Sequence, residues 1–251
     1  MKLPALFLAH GSPMNAISDN AFTRALSALG ARLPRPRAIL CVSAHWLTRG
    51  TAVTGMASPR TIHDFGGFPE ALYQVRYPAP GSPALARRAR ELLGAKTAVD
   101  EAEWGLDHGA WSVLRHVYPE ADVPVVQLGI DYGAPARRHF ELGAKLRPLR
   151  DEGVLLVGSG NVVHNLRRIS QDEDAPSAQW ALAFSDHVKT RALAGDFEAL
   201  LADPAAAPGG RESVPTPDHY DPLLYALGAA EEGERPTVLY DGMQNGSISM
   251  L

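Results

Sequence analysis

Short apolar, β-prone runs alternate along this chain with stretches of helical periodicity. That alternation restricts the fold more than any other feature. The runs are 3–9, 38–44, 51–56, 123–130 and 153–157. Between the first two, Phe22, Leu26, Leu29 and Leu33 share one helical face, with Ser18 or Asp19 as the expected N-cap and Pro34 and Pro36 as the stop. Ser82-Pro83 opens a helix with Leu85, Ala89, Leu92 and Leu93 on its inner face. A short helix follows Asp107-His108-Gly109 as far as Tyr118, Pro135 opens one reaching Arg150, another covers 177–201, and a last one begins near Pro222. Asp203 to Pro215 reads as a surface connection, and 237–240 and 247–250 as terminal strands. Strands alternating with helices predict an α/β fold, with a central mixed, largely parallel sheet flanked by helices. No repeat or linker divides the chain, so one domain is expected over residues 1–251.

Composition narrows the function classes. Hydrophobic residues are 45% and charged residues 21%, the balance of a globular chain. A net charge of −4 leaves no footprint for nucleic acid, and the pairs Arg87-Arg88, Arg137-Arg138 and Arg167-Arg168 are short and separated. The lone Cys41 sits in an apolar run and reads as a small buried hydrophobe; it excludes a disulfide framework and a Cys-rich zinc site. No stretch has the length of a membrane helix and no signal-peptide pattern opens the chain, so a cytoplasmic location without membrane contact is expected.

The chemistry lies in the histidines. His10 and His45 each end an apolar run, and His164 follows Gly158-Ser159-Gly160-Asn161 after another. His63, His108 and His219 sit beside Asp, Gly or Pro in expected loops or helix starts, whereas His116, His139 and His187 fall inside helices and read as surface or half-buried. Ligands of open α/β sheets bind at the carboxyl ends of strands, so imidazoles delivered there point to a metal site. A histidine-rich set suits iron(II), zinc or copper better than magnesium. No His-Glu-x-x-His motif, P-loop or dinucleotide fingerprint is present. Ser159 lacks the spacing of a nucleophile elbow and reads as a turn residue, and Asp221 before Pro222 reads equally as a helix N-cap or a carboxylate ligand. The long loop 57–81, with its aromatics and paired glycines, reads as a lid or pocket wall.

Taken in order, Leu8-Ala9-His10-Gly11-Ser12-Pro13, Val42-Ser43-Ala44-His45-Trp46, His63-Asp64-Phe65-Gly66-Gly67, Trp104-Gly105-Leu106-Asp107-His108-Gly109, Gly158-Ser159-Gly160-Asn161-Val162-Val163-His164 and Pro217-Asp218-His219-Tyr220 carry a resemblance. The chain resembles the LigB-type (class III) extradiol ring-cleavage dioxygenases, in their 4,5-DOPA branch, over its whole length. The resemblance implies one divalent metal ion, Zn(2+) or Fe(2+), at one end of the sheet. It implies ligands at His10, His45 and His219, with His164 as a fourth ligand or the acid/base and His108 as the alternative base. His63 and Ser12 are implied on the substrate side. In the wider superfamily the C-terminal ligand is commonly a carboxylate; His219 in its place makes zinc an expected occupant, although oxygen chemistry calls for iron. The implied reaction inserts O2 into a catechol, with L-DOPA as the model substrate, and yields a muconic semialdehyde. A zinc hydrolase, or a metal-binding protein without turnover, are the alternatives on the same ligand set.

Overall fold

The computed structural model describes residues 2–251. Its strands are β1 (Ala5–Ala9), β2 (Ala38–Thr48), β3 (Ala52–Thr54), β4 (Ala98–Asp100), β5 (Val125–Asp131), β6 (Val154–Gly160), β7 (Met243–Gln244) and β8 (Ile248–Ser249). Its α-helices are α1 (Ala21–Arg32), α2 (Glu70–Tyr73), α3 (Pro83–Leu93), α4 (His108–Val117), α5 (Ala136–Leu146), α6 (Pro148–Asp151), α7 (Gln179–Ala194), α8 (Phe197–Leu201), α9 (Gly210–Ser213) and α10 (Asp221–Gly228). The central sheet has six strands in the order β1-β6-β2-β5-β3-β4. All neighbours are parallel except β3 and β5, so the sheet is mixed and largely parallel, as the alternation predicts.

Both faces of the sheet are covered, which is why its central strands read as continuous apolar runs. Successive side chains alternate between faces. In β2, Ile39 and Cys41 join the layer packed with Phe22, Leu26 and Leu29 of α1 and Trp111 and Leu114 of α4. Leu40 and Val42 join the opposite layer, with Leu85 and Ala89 of α3 and Leu142 and Leu146 of α5. Burying one such side chain contributes roughly 1.5–3 kcal/mol. Among the described residues, no helix is long and apolar enough to cross a membrane.

Several boundaries differ from the sequence reading, each for a local reason. The N-cap of α1 is Asn20, not Ser18 or Asp19, because Asn20 and Thr23 satisfy each other in a capping box. β2 runs past residue 44 to Thr48, so His45 lies inside the strand rather than beyond it. The ladder with β5 slips between Val42 and Leu47, and His45 sits in that irregularity. The 177–201 helix is two helices, broken at Gly195, whose φ of +73° is left-handed. Residues 237–240 form no strand; the terminal pairing is between β7 and β8. The 203–215 stretch is not purely superficial, since Gly210 and Ser213 are buried. Asp221 is the first residue of α10 and caps nothing with its side chain. His139 is fully buried, bonded through Nδ1 to the Tyr225 hydroxyl at 3.0 Å.

Candidate metal centre

Three imidazoles meet at the carboxyl ends of β1, β6 and β2. His10 follows β1 directly, its amide bonded to the Gly160 carbonyl at the end of β6. His45 projects from the irregular part of β2. His219 comes from the turn before α10, and its carbonyl accepts from Asn161 N, just past β6. A Cβ at Gly160 would overlap that carbonyl, so only glycine lets the turn lie this close to the strand. One ligand atom from each of His10, His45 and His219 lies within 4.8 Å of the others.

Hydrogen-bond partners settle which nitrogen of each ring carries a proton. The Ser159 hydroxyl donates its one proton to the Gly109 carbonyl at 2.5 Å. Toward His10 Nδ1, at 3.0 Å, Ser159 can therefore only accept, so His10 is protonated at Nδ1. His45 Nδ1 lies 3.3 Å from Asp64 Oδ2, and His219 Nδ1 donates to the Asp218 carboxylate. Each ring thus turns its Nδ1 toward a partner and its Nε2 inward. The His10 and His45 Nε2 atoms are 3.2 Å apart. His219 Nε2 is buried without a hydrogen-bond partner, which costs roughly 1–3 kcal/mol unless something binds it. Burial, and then the neighbouring imidazoles, hold His10 and His45 well below the ordinary histidine range, so both stay neutral. Three convergent imidazole nitrogens fit a divalent transition-metal ion.

His108 opens α4 beside this group. The Asp107 side chain caps the helix by accepting from Ala110 N at 3.1 Å. Asp107 also accepts from Ser43 Oγ at 2.6 Å and Gln127 Nε2 at 2.7 Å; burial, and then Asp64, push its carboxyl up. Asp64 accepts from the His108 amide at 2.9 Å and from His108 Nδ1 at 3.0 Å. Burial pushes Asp64 up, but its bonds from His108 outweigh that and keep it below the usual carboxylate range. The His108 ring centroid is 3.9 Å from that of His45 and 5.6 Å from that of His10.

His164 stands outside the three-histidine group. Its ring stacks on His219, centroids 3.5 Å apart and planes 6° from parallel. Burial, and then His219, lower it to about 3. His63 Nε2 donates to the Val75 carbonyl at 3.0 Å, and its ring is 5.8 Å from Phe65, which in turn lies 5.4 Å from His108. The 57–81 loop thus sets an aromatic wall beside His108, tied down by Ile62, whose carbonyl accepts from Trp111 Nε1 at 2.8 Å. Ser12 caps the short turn after β1 by accepting from Met14 N at 3.2 Å. An apolar cavity of about 330 Å³ flanks β1, but none of these histidines lines it. Asp64, Asp218, Asp107 and Ser159 were not singled out from the sequence as site residues. Asp64, Asp107 and Asp218 each adjoin one of the histidines named from the sequence, which is the one signal the sequence offers.

Residues 4–249 match the family described as the catalytic LigB subunit of aromatic ring-opening dioxygenase. The chain is 54% identical over 253 residues to an Escherichia coli K12 protein named 4,5-DOPA dioxygenase extradiol, covering 100% of this chain and 93% of that one. A Beta vulgaris protein of the same name is 39% identical over 249 residues, covering 97% and 92%. The crystal structure of an uncharacterized Escherichia coli K12 protein superimposes with a TM-score of 0.86 at 48% identity, covering 99% of this chain and 98% of that one. A match of that extent, on a fold shared from end to end, makes the chain a member of the LigB catalytic-subunit family of aromatic ring-opening dioxygenases.

Proposed function

We propose that this chain opens the ring of a catechol beside its diol, with an L-DOPA-like catechol as substrate and one divalent cation held by His10, His45 and His219. The observation that carries the reading is the set of three inward-facing imidazole Nε2 atoms, each ring turning its Nδ1 toward a partner. The names of the relatives support the substrate class. When bound there, iron(II) supplies Lewis acidity toward the catechol oxygens and redox chemistry toward dioxygen, which zinc does not. The ligand side chains carry no negative charge of their own; the carboxylates of Asp64 and Asp218 stand behind His45 and His219, on the far side of those rings. His108 is the better-equipped proton acceptor: Asp64 holds its Nδ1 proton, which leaves Nε2 bare. Burial lowers His164 to about 3, and its flat stacking steadies the His219 ring. The half-buried Phe65 and His63 rings give that side of His108 an aromatic wall.

The test is reconstitution of metal-free protein with iron(II) under anaerobic conditions, followed by addition of oxygen and L-DOPA. Oxygen uptake with a yellow semialdehyde product is expected, and zinc-loaded protein is expected to give neither. The His108→Ala variant should turn over about 100-fold more slowly or worse. Iron-loaded protein that consumes no oxygen with any catechol, while its zinc form cleaves esters, would overturn the reading.

A further inference from the structure

Asp64 touches both kinds of histidine in this centre. Its Oδ2 accepts from His108 Nδ1 at 3.0 Å and lies 3.3 Å from His45 Nδ1, while Oδ1 accepts from the His108 amide. The need for such a carboxylate follows from the chemistry of free imidazole, which in water prefers its proton on Nε2. In that tautomer His45 would donate to His10 Nε2, only 3.2 Å away. The two rings would then consume each other's ligand nitrogens in a hydrogen bond. The same tautomer at His108 would turn a proton, not a lone pair, toward the substrate.

We propose that Asp64 is a positioning residue that sets the tautomers of His45 and His108 together, so that one carboxylate presents a bare Nε2 to the cation and another to the substrate proton. The inference rests on the catechol reading for the role of His108, but not for the role of His45. A separate ion bound by His45, Asp64 and His108, whose ligand atoms also lie within 4.8 Å of one another, is the rival. The hydrogen-bond distances among those atoms favour protons over an ion.

The experiment uses metal-free full-length protein carrying labelled histidine ring nitrogens, read by two-bond nitrogen–proton correlation spectra, with zinc affinity measured against a chromophoric chelator. In the wild type, His45 and His108 are expected in the Nδ1–H form. In Asp64→Ala both should move to Nε2–H, and zinc affinity should fall about 10- to 100-fold. Asp64→Leu is close in shape and carries no acceptor, so both rings should switch even if Asp64→Ala folds poorly. Rings that keep the Nδ1–H form in both variants, unchanged zinc affinity, or wild-type rings lacking Nδ1 protons with a second zinc bound would each overturn the proposal. These readouts involve no substrate. Wild-type protein with the expected tautomers but no ring opening would reject the catechol reading and leave the assignment of Asp64 standing.

Discussion

Ser159 has a single proton and gives it to Gly109, so it can only accept from His10. Replacing it with alanine leaves His10 Nδ1–H buried without a partner and frees the ring to change tautomer. The Ser159→Ala variant is expected to keep its fold and lose about 10-fold or more in zinc affinity, measured by chelator competition. Unchanged affinity would show that the backbone alone orients His10. The histidines themselves were legible in the sequence, because few residue types bind metals and these stand beside glycine, serine or aspartate. Their partners were not. Ser159 reads as turn punctuation, yet it lies inside β6, and it meets His10 only through the β1–β6 pairing. Asp64 reaches His108 across 44 residues, a separation that no local pattern encodes.

Helix α4 shows how an element places chemistry. Asp107 fixes its start, and its second residue, Gly109, packs against β2. A Cβ at Gly109 would overlap Ser43 Oγ and come within 2.9 Å of His45 Cδ2. The Gly109→Ala variant is therefore expected to push His45 aside. It should lose stoichiometric zinc while its far-UV dichroism stays native, at a stability cost of about 1–3 kcal/mol. Full zinc occupancy would show that β2 yields instead. Elements were legible where periodicity was strong, as in α1 and α3. They were misread where pairing decides. Polar His45 and Thr48 hid the last four residues of β2, and 237–240 looks strand-like but finds no partner.

At the scale of the whole molecule, buried imidazoles couple stability to pH. His10 and His45 are held far below their ordinary value, His164 lies at about 3 and His139 at about 4, burial being the first cause in each. Unfolded, they would take up protons near pH 6.5. Below that pH the unfolded chain binds protons that the native state refuses, so stability falls as pH falls. Asp107 and Asp221 act oppositely. Burial pushes both up, Asp221 to about 7, so together they offset at most two of the four histidines. Asp64 and Asp218 are held down and matter only below the ordinary carboxylate range. The urea midpoint of metal-free protein should drop between about pH 7 and pH 5, at about 1.4 kcal/mol per pH unit for each net proton. A flat profile would mean that these rings protonate without unfolding. The three imidazoles at the sheet's end also stand far apart in the chain, at positions 10, 45 and 219. A nascent polypeptide leaving the ribosome carries the first two long before the third emerges. The cluster cannot exist until His219 has been made, so capture of a cation by all three rings must wait for that residue.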